Sequence, residues 1–176
     1  SGLANFKGVC GRMELIPTNR DFSLIIDYAH TPDGLEKVLS AVKEFAKGRV
    51  VVVFGCGGDR DNTKRPIMGE IADRLADFCV ITSDNPRTEE PSGIIEQIVA
   101  GMNDIAEKII IQDRRAAIRY AIENAKKDDV VILAGKGHED YQILPTGKIH
   151  FDEHEVVEEI LREEEEERAN GEDNHR

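Results

Sequence analysis

The chain has 176 residues, of which 40% are hydrophobic, and it contains no tryptophan, which suits one domain with an aliphatic core. Its formal net charge of -12 argues against a general surface for nucleic acid or for an anionic membrane, because both call for a basic balance. No signal peptide, bilayer-spanning apolar segment or CxxC pair is visible, so we expect a reduced, cytoplasmic protein without nucleic-acid or membrane partners.

The predicted elements alternate between strands and helices along almost the whole chain. Strands are predicted at 22–26, 49–54, 78–82, 108–111 and 130–134. The strand at 49–54 is nearly all valine, which is typical of a strand covered on both faces. The helices between them include one that starts at Pro91 and one capped by Asp113.

After the last of these strands, the sequence predicts a hairpin with strands near 141–144 and 148–151. A capping box at 152–155 then opens a final helix. The alternation predicts an α/β fold, Rossmann-like, with a mostly parallel sheet, helices on both faces and a C-terminal β-hairpin.

Three segments are expected along the chain. Residues 1–20 are interpreted as a linker at the end of a connection to another domain, and residues 21–162 as the folded domain. Residues 163–176 begin with a run of five acids and are expected to be a disordered acidic tail. Because the chain starts at Ser1 in what resembles mid-protein sequence, we expect a piece of a longer polypeptide.

Four loops fall at predicted carboxyl ends of strands, the edge at which open parallel sheets bind ligands. They span residues 27–33, 55–61, 83–90 and 135–140. The tetrapeptide Asp84-Asn85-Pro86-Arg87, taken alone, is equally consistent with a simple turn. Together the loops gather two arginines and several acids, which suit a small zwitterion because Arg pairs with a carboxylate and an acid receives an ammonium.

Several other kinds of site find little support. Arg60 occupies the sixth position of the dinucleotide fingerprint, where Gly or Ala is required, so an NAD-dependent oxidoreductase is disfavoured, and no P-loop is present. His150, Asp152 and His154 alternate, but Asp152 is better explained as a helix cap, so no metal ligand is assigned. No nucleophile elbow occurs, and no catalytic residue is assigned.

The loop segments together resemble the C-terminal domain of the Mur ligases, in the family's order and over roughly residues 8 to 161. The segments that carry the resemblance are Asp27-Tyr-Ala-His-Thr-Pro-Asp33, Val53-Phe-Gly-Cys-Gly-Gly-Asp-Arg-Asp61, Lys64-Arg-Pro66, Asp84-Asn-Pro-Arg87 and Gly135-Lys-Gly-His-Glu-Asp-Tyr-Gln142.

The likeness is strongest to the diaminopimelate-adding branch of that family. It implies an ATP-dependent acid–amino-acid ligase of peptidoglycan synthesis, and hence a role in cell wall biogenesis, cell shape and cell division. The resemblance places substrate contacts at Arg60, Asp84, Asn85, Pro86, Arg87, Gly135 and Glu139. It places contacts to the ribose and base of ATP at Arg12, Asp27, Tyr28 and His30.

In such ligases ATP phosphorylates a D-glutamate carboxylate of UDP-N-acetylmuramoyl-dipeptide, and the amine of meso-2,6-diaminopimelate then displaces phosphate. The resemblance implies that the P-loop, the Mg²⁺ ligands and the nucleotide-sugar site lie in central and N-terminal domains outside this chain. We therefore expect the chain to bind diaminopimelate and part of ATP and to be inactive alone. A stand-alone binding module for an amino acid or nucleotide, without catalysis, is the alternative.

Overall fold

A computed structural model of the chain describes residues 13–173. Its elements are β1 (Glu14–Ile16), β2 (Ser23–Asp27), α1 (Pro32–Phe45), β3 (Val50–Phe54), α2 (Lys64–Leu75), β4 (Phe78–Ile81), α3 (Pro91–Val99), β5 (Glu107–Ile110), α4 (Arg114–Glu123), β6 (Val130–Ala134), β7 (Tyr141–Leu144), β8 (Gly147–His150) and α5 (Glu153–Asp173). The predicted strands are all present, with ends that differ by at most one residue. Within this part of the chain, none of the helices has the length and apolar character needed to cross a bilayer.

Six strands form one sheet in the order β1-β2-β6-β3-β4-β5, and β7 and β8 form a separate antiparallel hairpin. β1 runs antiparallel to β2, and every other pair in the large sheet is parallel. β6 lies between β2 and β3, so Val131 pairs with both Leu24 and Val51. This insertion brings the loop after β6 beside the loops after β2 and β3, at the carboxyl end of the sheet.

Alternate residues of the central strands divide the core between the two faces of the sheet. Val52 packs in a cluster with residues of α1, α2 and α3, whereas its neighbour Val53 packs with residues of α4 and α5. Burial of each such aliphatic side chain contributes roughly 1.5–3 kcal/mol. The predicted α/β fold, with a mostly parallel sheet covered on both faces and a C-terminal hairpin, is confirmed.

Two helix caps follow the sequence prediction. Asp113 accepts a hydrogen bond from the backbone N–H of Ala116 (2.9 Å), and Asp152 accepts from the N–H of His154 (2.9 Å). Glu155 does not complete a reciprocal capping box in the bonds observed, because its carboxylate pairs with His150 Nε2 at 2.7 Å.

The N-terminal part of the chain differs from the expected linker over residues 1–20. Residues 14–16 form β1, which pairs with β2 through Leu15 and Ile25. A strand of three residues is too short to show an alternating pattern, and Leu15 is exposed at the sheet edge.

Helix α5 continues to Asp173 and includes the acidic run 163–167, whereas the sequence analysis expected a disordered tail from residue 163. Arginines outside this helix pair with three of its acids. Arg115 of α4 bonds to Glu159 (2.8 Å), Arg119 of α4 pairs with Glu163, and Arg20 lies 2.9 Å from Glu164. The run is therefore helical, with Glu163 and Glu164 paired to arginines and residues 165–167 exposed.

Candidate functional site

A cavity of about 340 Å³ opens at the carboxyl end of the sheet, where the loops after β2, β3, β4 and β6 meet. This volume lies at the lower end of the range for small-molecule sites. Six of the seven positions assigned to the amino-acid substrate line it: Arg60, Asp84, Asn85, Arg87, Gly135 and Glu139. Tyr28 and His30, which were assigned to ATP, line the same cavity.

The other three assigned residues are not in this cavity. The carbonyl oxygen of Pro86 would lie 1.8 Å from a Cβ at Gly58, so the two loops approach each other where only glycine fits. Pro86 thus sets the loop spacing without facing the ligand space. Asp27 borders a neighbouring groove, and Arg12 lies outside the described residues.

The carboxylate of Asp27 is buried and already satisfied by the backbone. It accepts hydrogen bonds from the N–H groups of Met13 and Ala29, both at 2.7 Å. In this conformation Asp27 therefore holds the turn after β2 against the start of β1.

Tyr28 and His30 join the cavity to the neighbouring groove of about 300 Å³, because both residues line each of them. Both side chains are exposed, and their ring centroids lie 4.6 Å apart at 55°. His30 Nδ1 also lies 2.9 Å from the carbonyl oxygen of Tyr28. The pair presents aromatic surface that a nucleotide base can contact.

Asn85 is buried and uses its side-chain oxygen to join three segments. Its Oδ1 accepts hydrogen bonds from Lys136 Nζ (2.9 Å) and from the N–H of Ile143 (3.0 Å). Since the oxygen is occupied, the Nδ2 amide is the group with which Asn85 can bind a carboxylate or carbonyl oxygen.

Lys136 is fully buried beneath the cavity. Burial lowers the pKa of its ammonium, and the nearby Asp84 carboxylate, 3.4 Å away, partly offsets this effect. The Lys136 side chain is directed into loop 84–87, while Gly135 has a φ of +118°, which side-chain-bearing residues rarely adopt.

The two candidate arginines are held to different degrees. Arg87 donates through Nη1 to the carbonyl oxygen of Gly58 (2.9 Å), so one edge of its guanidinium is anchored. Arg60 is exposed and donates only to the carbonyl oxygen of Asp59 (3.2 Å) among the bonds observed. Arg87 is therefore positioned before a ligand arrives, whereas Arg60 is free to adjust to one.

A buried arginine braces the loops that carry Arg60 and Arg87. Arg65 donates to both carboxylate oxygens of Glu89 (2.9 and 3.0 Å) and to the carbonyl oxygen of Gly57 (2.9 Å). Glu89 in turn accepts from the N–H of Asp59 (2.9 Å), and the bonds from Arg65 lower the pKa of Glu89. This fork-to-fork pair fixes the separation of the two loops.

The hairpin β7–β8 holds loop 84–87 from the opposite side. Gln142 Nε2 donates to the carbonyl oxygen of Asp84 (2.8 Å), and the N–H of Arg87 donates to the carbonyl oxygen of Ile143 (3.0 Å). With the bond from Ile143 to Asn85, three contacts join the first hairpin strand to the tetrapeptide. Arg87 adopts a φ of +54° within this arrangement, a conformation that needs outside support in a non-glycine residue.

Sequence reasoning missed two side chains that line the cavity, Lys64 and Tyr141. Both lie in segments that carry the family resemblance but outside the predicted loop limits, so the motif itself was the available signal. Lys64 donates to the carbonyl oxygen of His30 (3.1 Å). A hydrogen bond to Glu139 raises the pKa of the Tyr141 phenol, which places these two side chains in contact.

The lining combines cations with anions in one small space. Lys64, Arg60 and Arg87 contribute positive charge, and Asp84 and Glu139 contribute negative charge. Such a lining complements a ligand that carries carboxylate and ammonium groups together.

Cys56, in the loop after β3, is an unreactive thiol. It is buried, and burial raises its pKa to about 12, so the thiolate does not form near neutral pH. Its Sγ lies 3.6 Å from the sulfur of Met68 in the core.

A larger cavity, of about 480 Å³, lies between the hairpin and helices α4 and α5. It contains none of the assigned site residues, and its charged side chains are already paired with each other, as in Arg115 with Glu159 (2.8 Å) and His150 with Glu155 (2.7 Å). We therefore place the candidate site in the smaller cavity, where the charged groups converge on open space.

The sequence pattern His150, Asp152 and His154 does not converge on one point. Asp152 caps α5, and His150 bonds to Glu155. His154 instead turns toward Glu14, with His154 Nε2 2.8 Å from Glu14 Oε2.

Comparison with known proteins identifies the family of the chain. The family model described as Mur ligase, glutamate ligase domain, matches residues 11–137. The chain is 58% identical over 164 residues to UDP-N-acetylmuramoyl-L-alanyl-D-glutamate–2,6-diaminopimelate ligase 1 of Clostridium acetobutylicum, covering 92% of the chain and 34% of that protein. It is 58% identical over 158 residues to the corresponding ligase of Caldanaerobacter subterraneus subsp. tengcongensis, covering 89% of the chain and 33% of that protein.

Among solved structures, a UDP-N-acetylmuramoyl-L-alanyl-D-glutamate–2,6-diaminopimelate ligase superposes with a TM-score of 0.84 at 40% identity, over 90% of this chain and 32% of that one. The chain thus spans about one third of the length of the relatives that it matches. The family match covers well over half of the chain, and the fold and the loop motifs agree with it. The chain belongs to the Mur ligase family and corresponds to its glutamate ligase domain.

Proposed function

We propose that this chain is the amino-acid-binding domain of an ATP-dependent ligase that adds meso-2,6-diaminopimelate to UDP-N-acetylmuramoyl-L-alanyl-D-glutamate. The observation that carries the proposal is the single small cavity lined by Arg60 and Arg87 together with Asp84 and Glu139. The relatives named for this reaction, at 58% identity across nearly the whole chain, support the same substrate.

Diaminopimelate carries an amino-acid head group at each end, and lysine lacks one of the two carboxylates. In the proposed complex Arg60 and Arg87 hold the distal carboxylate, and Glu139 and Asp84 receive the distal ammonium. Asn85 adds a donor through Nδ2, since its oxygen is bound to Lys136 and Ile143. The head group at the other end is left to face the acyl donor.

The domain's own contribution to the reaction is to bind and orient the nucleophile. The proximal amine attacks the acyl phosphate of the dipeptide, a C–N bond forms, the C–O bond to phosphate breaks, and the amine releases a proton. ATP supplies the activating phosphoryl group, with Mg²⁺ bound by other parts of the full-length protein. In this chain Tyr28 and His30 offer aromatic surface for the base, and the contact proposed for Arg12 lies outside the described residues.

These roles imply that the chain catalyses no ligation when separated from the domains that carry the phosphate-binding and metal-binding groups. Because ATP and a nucleotide-linked precursor are cytoplasmic compounds, we infer that the parent protein acts in the cytoplasm.

The decisive experiment compares diaminopimelate with lysine in the full-length protein and in its Arg87→Ala variant. Loss of a charge-assisted contact costs ~1.5–3 kcal/mol, so kcat/KM for diaminopimelate should fall about 10- to 150-fold. The rate with lysine, which lacks the distal carboxylate, should change much less, and the preference should shrink accordingly.

Arg74→Ala is the matched control, because Arg74 is an exposed arginine of α2 that pairs with Glu36 and Glu70, away from the cavity. Its kinetics should match those of the wild type. An Arg87→Ala enzyme that keeps the full preference for diaminopimelate would contradict the proposed role of the cavity.

A stand-alone binding module is the second candidate. Calorimetric titration of this chain with diaminopimelate, with and without the rest of the protein, separates the two. Tight binding by the chain alone, together with no ligation by the full-length protein, would favour the module.

A further inference from the structure

Three side chains from distant parts of the sequence meet beside the candidate site. Glu14 begins β1, His138 lies in the loop after β6, and His154 is in the first turn of α5. One oxygen or nitrogen atom of each lies within 4.8 Å of the others. The His138 and His154 rings are nearly parallel, at 5°, with centroids 5.8 Å apart.

The orientation of His154 is fixed from behind by a second carboxylate. Asp152 Oδ1 lies 3.4 Å from His154 Nδ1 and also accepts the backbone N–H of His154 at 2.9 Å. The opposite ring nitrogen, Nε2, faces Glu14 at 2.8 Å. A carboxylate behind a histidine that presents its other nitrogen is the usual arrangement around metal-binding histidines, because it sets the tautomer and the ring direction.

The local charge also favours a cation. Two carboxylates lie against the His154 ring, with Glu14 Oε2 2.8 Å from Nε2 and Asp152 Oδ1 3.4 Å from Nδ1. Two neutral imidazoles and one carboxylate carry a charge of -1, which a divalent ion more than offsets.

We propose that Glu14, His138 and His154 form a binding site for a divalent transition metal of the zinc class, with the fourth position open to water. Two imidazoles and a carboxylate are a known three-ligand set for zinc, whereas Mg²⁺ and Ca²⁺ prefer oxygen ligands. Metal–ligand distances near ~2.0–2.1 Å place ligand atoms roughly 3.3 Å apart, so no pair among the three side chains needs to change its separation by more than about 1.5 Å. His138 is exposed, which gives an ion access and the loop room to move.

The site bears on the amino-acid cavity because His138 directly precedes Glu139, which lines that cavity. A bound ion would tie the loop at residues 135–140 to β1 and to α5. It would thereby fix the position from which Glu139 meets an ammonium group. This consequence rests on the proposed function, whereas metal binding itself does not.

Metal binding is tested by titrating the metal-free 176-residue chain with Co²⁺ and then with Zn²⁺. We expect one equivalent of cobalt, visible absorption of the intensity typical of four-coordinate cobalt, no thiolate charge-transfer band, and displacement by zinc. His154→Ala and Glu14→Gln should each weaken binding at least about tenfold. Circular dichroism of the metal-free variants verifies that they are folded.

His150→Ala is the matched control, since His150 is an exposed histidine four residues before His154 that pairs with Glu155. It should bind metal as the wild type does. Absence of stoichiometric binding would overturn the proposal, as would equal weakening in the His150 and His154 variants.

The coupling to the cavity is tested separately by measuring diaminopimelate affinity of the full-length protein with zinc or with a chelator. A several-fold gain with zinc that His154→Ala abolishes supports the coupling, and equal affinities overturn it. If the parent protein does not bind diaminopimelate at all, this measurement fails under both conditions while the cobalt titration is unaffected.

Discussion

Charged residues at the two ends of the parallel sheet differ in how completely the protein satisfies their hydrogen bonds. At the amino end, the carboxylates of Asp73, which is buried, and Asp77, which is exposed, accept hydrogen bonds from backbone N–H groups. Asp73 accepts hydrogen bonds from the N–H groups of Asn103, Ile105 and Ala106 (2.7–3.0 Å), and Asp77 accepts from that of Val50 (2.8 Å). These bonds close the turns that lead into β3 and β5.

At the carboxyl end, several charged groups that line the cavity make few hydrogen bonds within the protein. Asp84 has only a long contact to Lys136 among the side-chain interactions observed, and Arg60 bonds only to its neighbouring carbonyl oxygen. The difference shows that burial of a carboxylate does not mark a site by itself. What marks a site is a charged group whose partners are supplied incompletely by the protein.

This comparison predicts that variants at the amino end lower stability without altering ligand recognition, and that Arg87→Ala, proposed above, does the reverse. The largest expected effect comes from a residue pair that should support both stability and ligand recognition. Arg114 and Glu153 are both fully buried and paired at 3.2 Å, while Arg114 also donates to the carbonyl oxygens of Ser83 and Ala134, both at 3.0 Å.

Arg114→Met should therefore lower stability and ligand affinity together. It leaves the buried Glu153 carboxylate without its cation, which costs about 3–5 kcal/mol, and frees the carbonyl groups that precede loops 84–87 and 135–140. Urea unfolding and diaminopimelate titration measure the two effects. Arg119→Met, on the surface of the same helix, is the control and should cost below about 1 kcal/mol. A stable Arg114→Met protein would show that the pair does not support the site.

Asp73→Ala should be the next largest effect, and a pure loss of stability. Three backbone N–H groups lose their acceptor, for which we expect a cost of about 3 kcal/mol in the free energy of unfolding by urea. Asp33→Ala, an exposed carboxylate paired with Lys37, should cost about 0–1 kcal/mol. A shift in the KM for diaminopimelate in folded, full-length Asp73→Ala would break the proposed separation of the two ends.

The smallest effect is expected in the pH dependence of stability. Burial acts to raise the pKa of Asp129, but the bonds from Arg49 and from the N–H of Lys126 outweigh it and hold that pKa below its ordinary value of 3.8. Its contribution to stability is therefore complete above pH 3.8 and is lost as the pH falls through the lowered pKa.

Urea unfolding between pH 2 and pH 5 checks this assignment. Asp129→Asn should lose stability at pH 5 and show a flatter decline toward pH 2 than the wild type. The same slope in both proteins would assign the acid sensitivity to other carboxylates.

The sequence predicted the sheet well, because its strands are long apolar runs and its helices have regular spacing. It missed β1, which has three residues and an exposed edge, and it did not predict that α5 continues through the acidic run, where Glu163 pairs with Arg119 of α4 and Glu164 with Arg20. Both depend on contacts between segments that are far apart in the chain, which local pattern does not reveal.

The location of the candidate site was predictable from the sequence, but the roles of its individual residues were less so. The position of the loops at strand ends was sufficient to expect that they meet. The sequence could not show that both carboxylate oxygens of Asp27 accept hydrogen bonds from backbone N–H groups. Nor could it show that the Lys136 side chain is buried. Those roles depend on the directions of side chains, which the order of residues in a loop does not specify.

The hairpin that holds loop 84–87 has a consequence for transferring the proposed amino-acid specificity from one relative to another. The family-wide match ends at Gly137, before the hairpin begins at Tyr141, yet three of the contacts that shape the tetrapeptide come from Gln142 and Ile143. The tetrapeptide and the hairpin are therefore one structural unit. We expect that grafting the four residues alone into a relative with a different hairpin would transfer the side chains without the backbone conformation that the proposed site requires of Arg87.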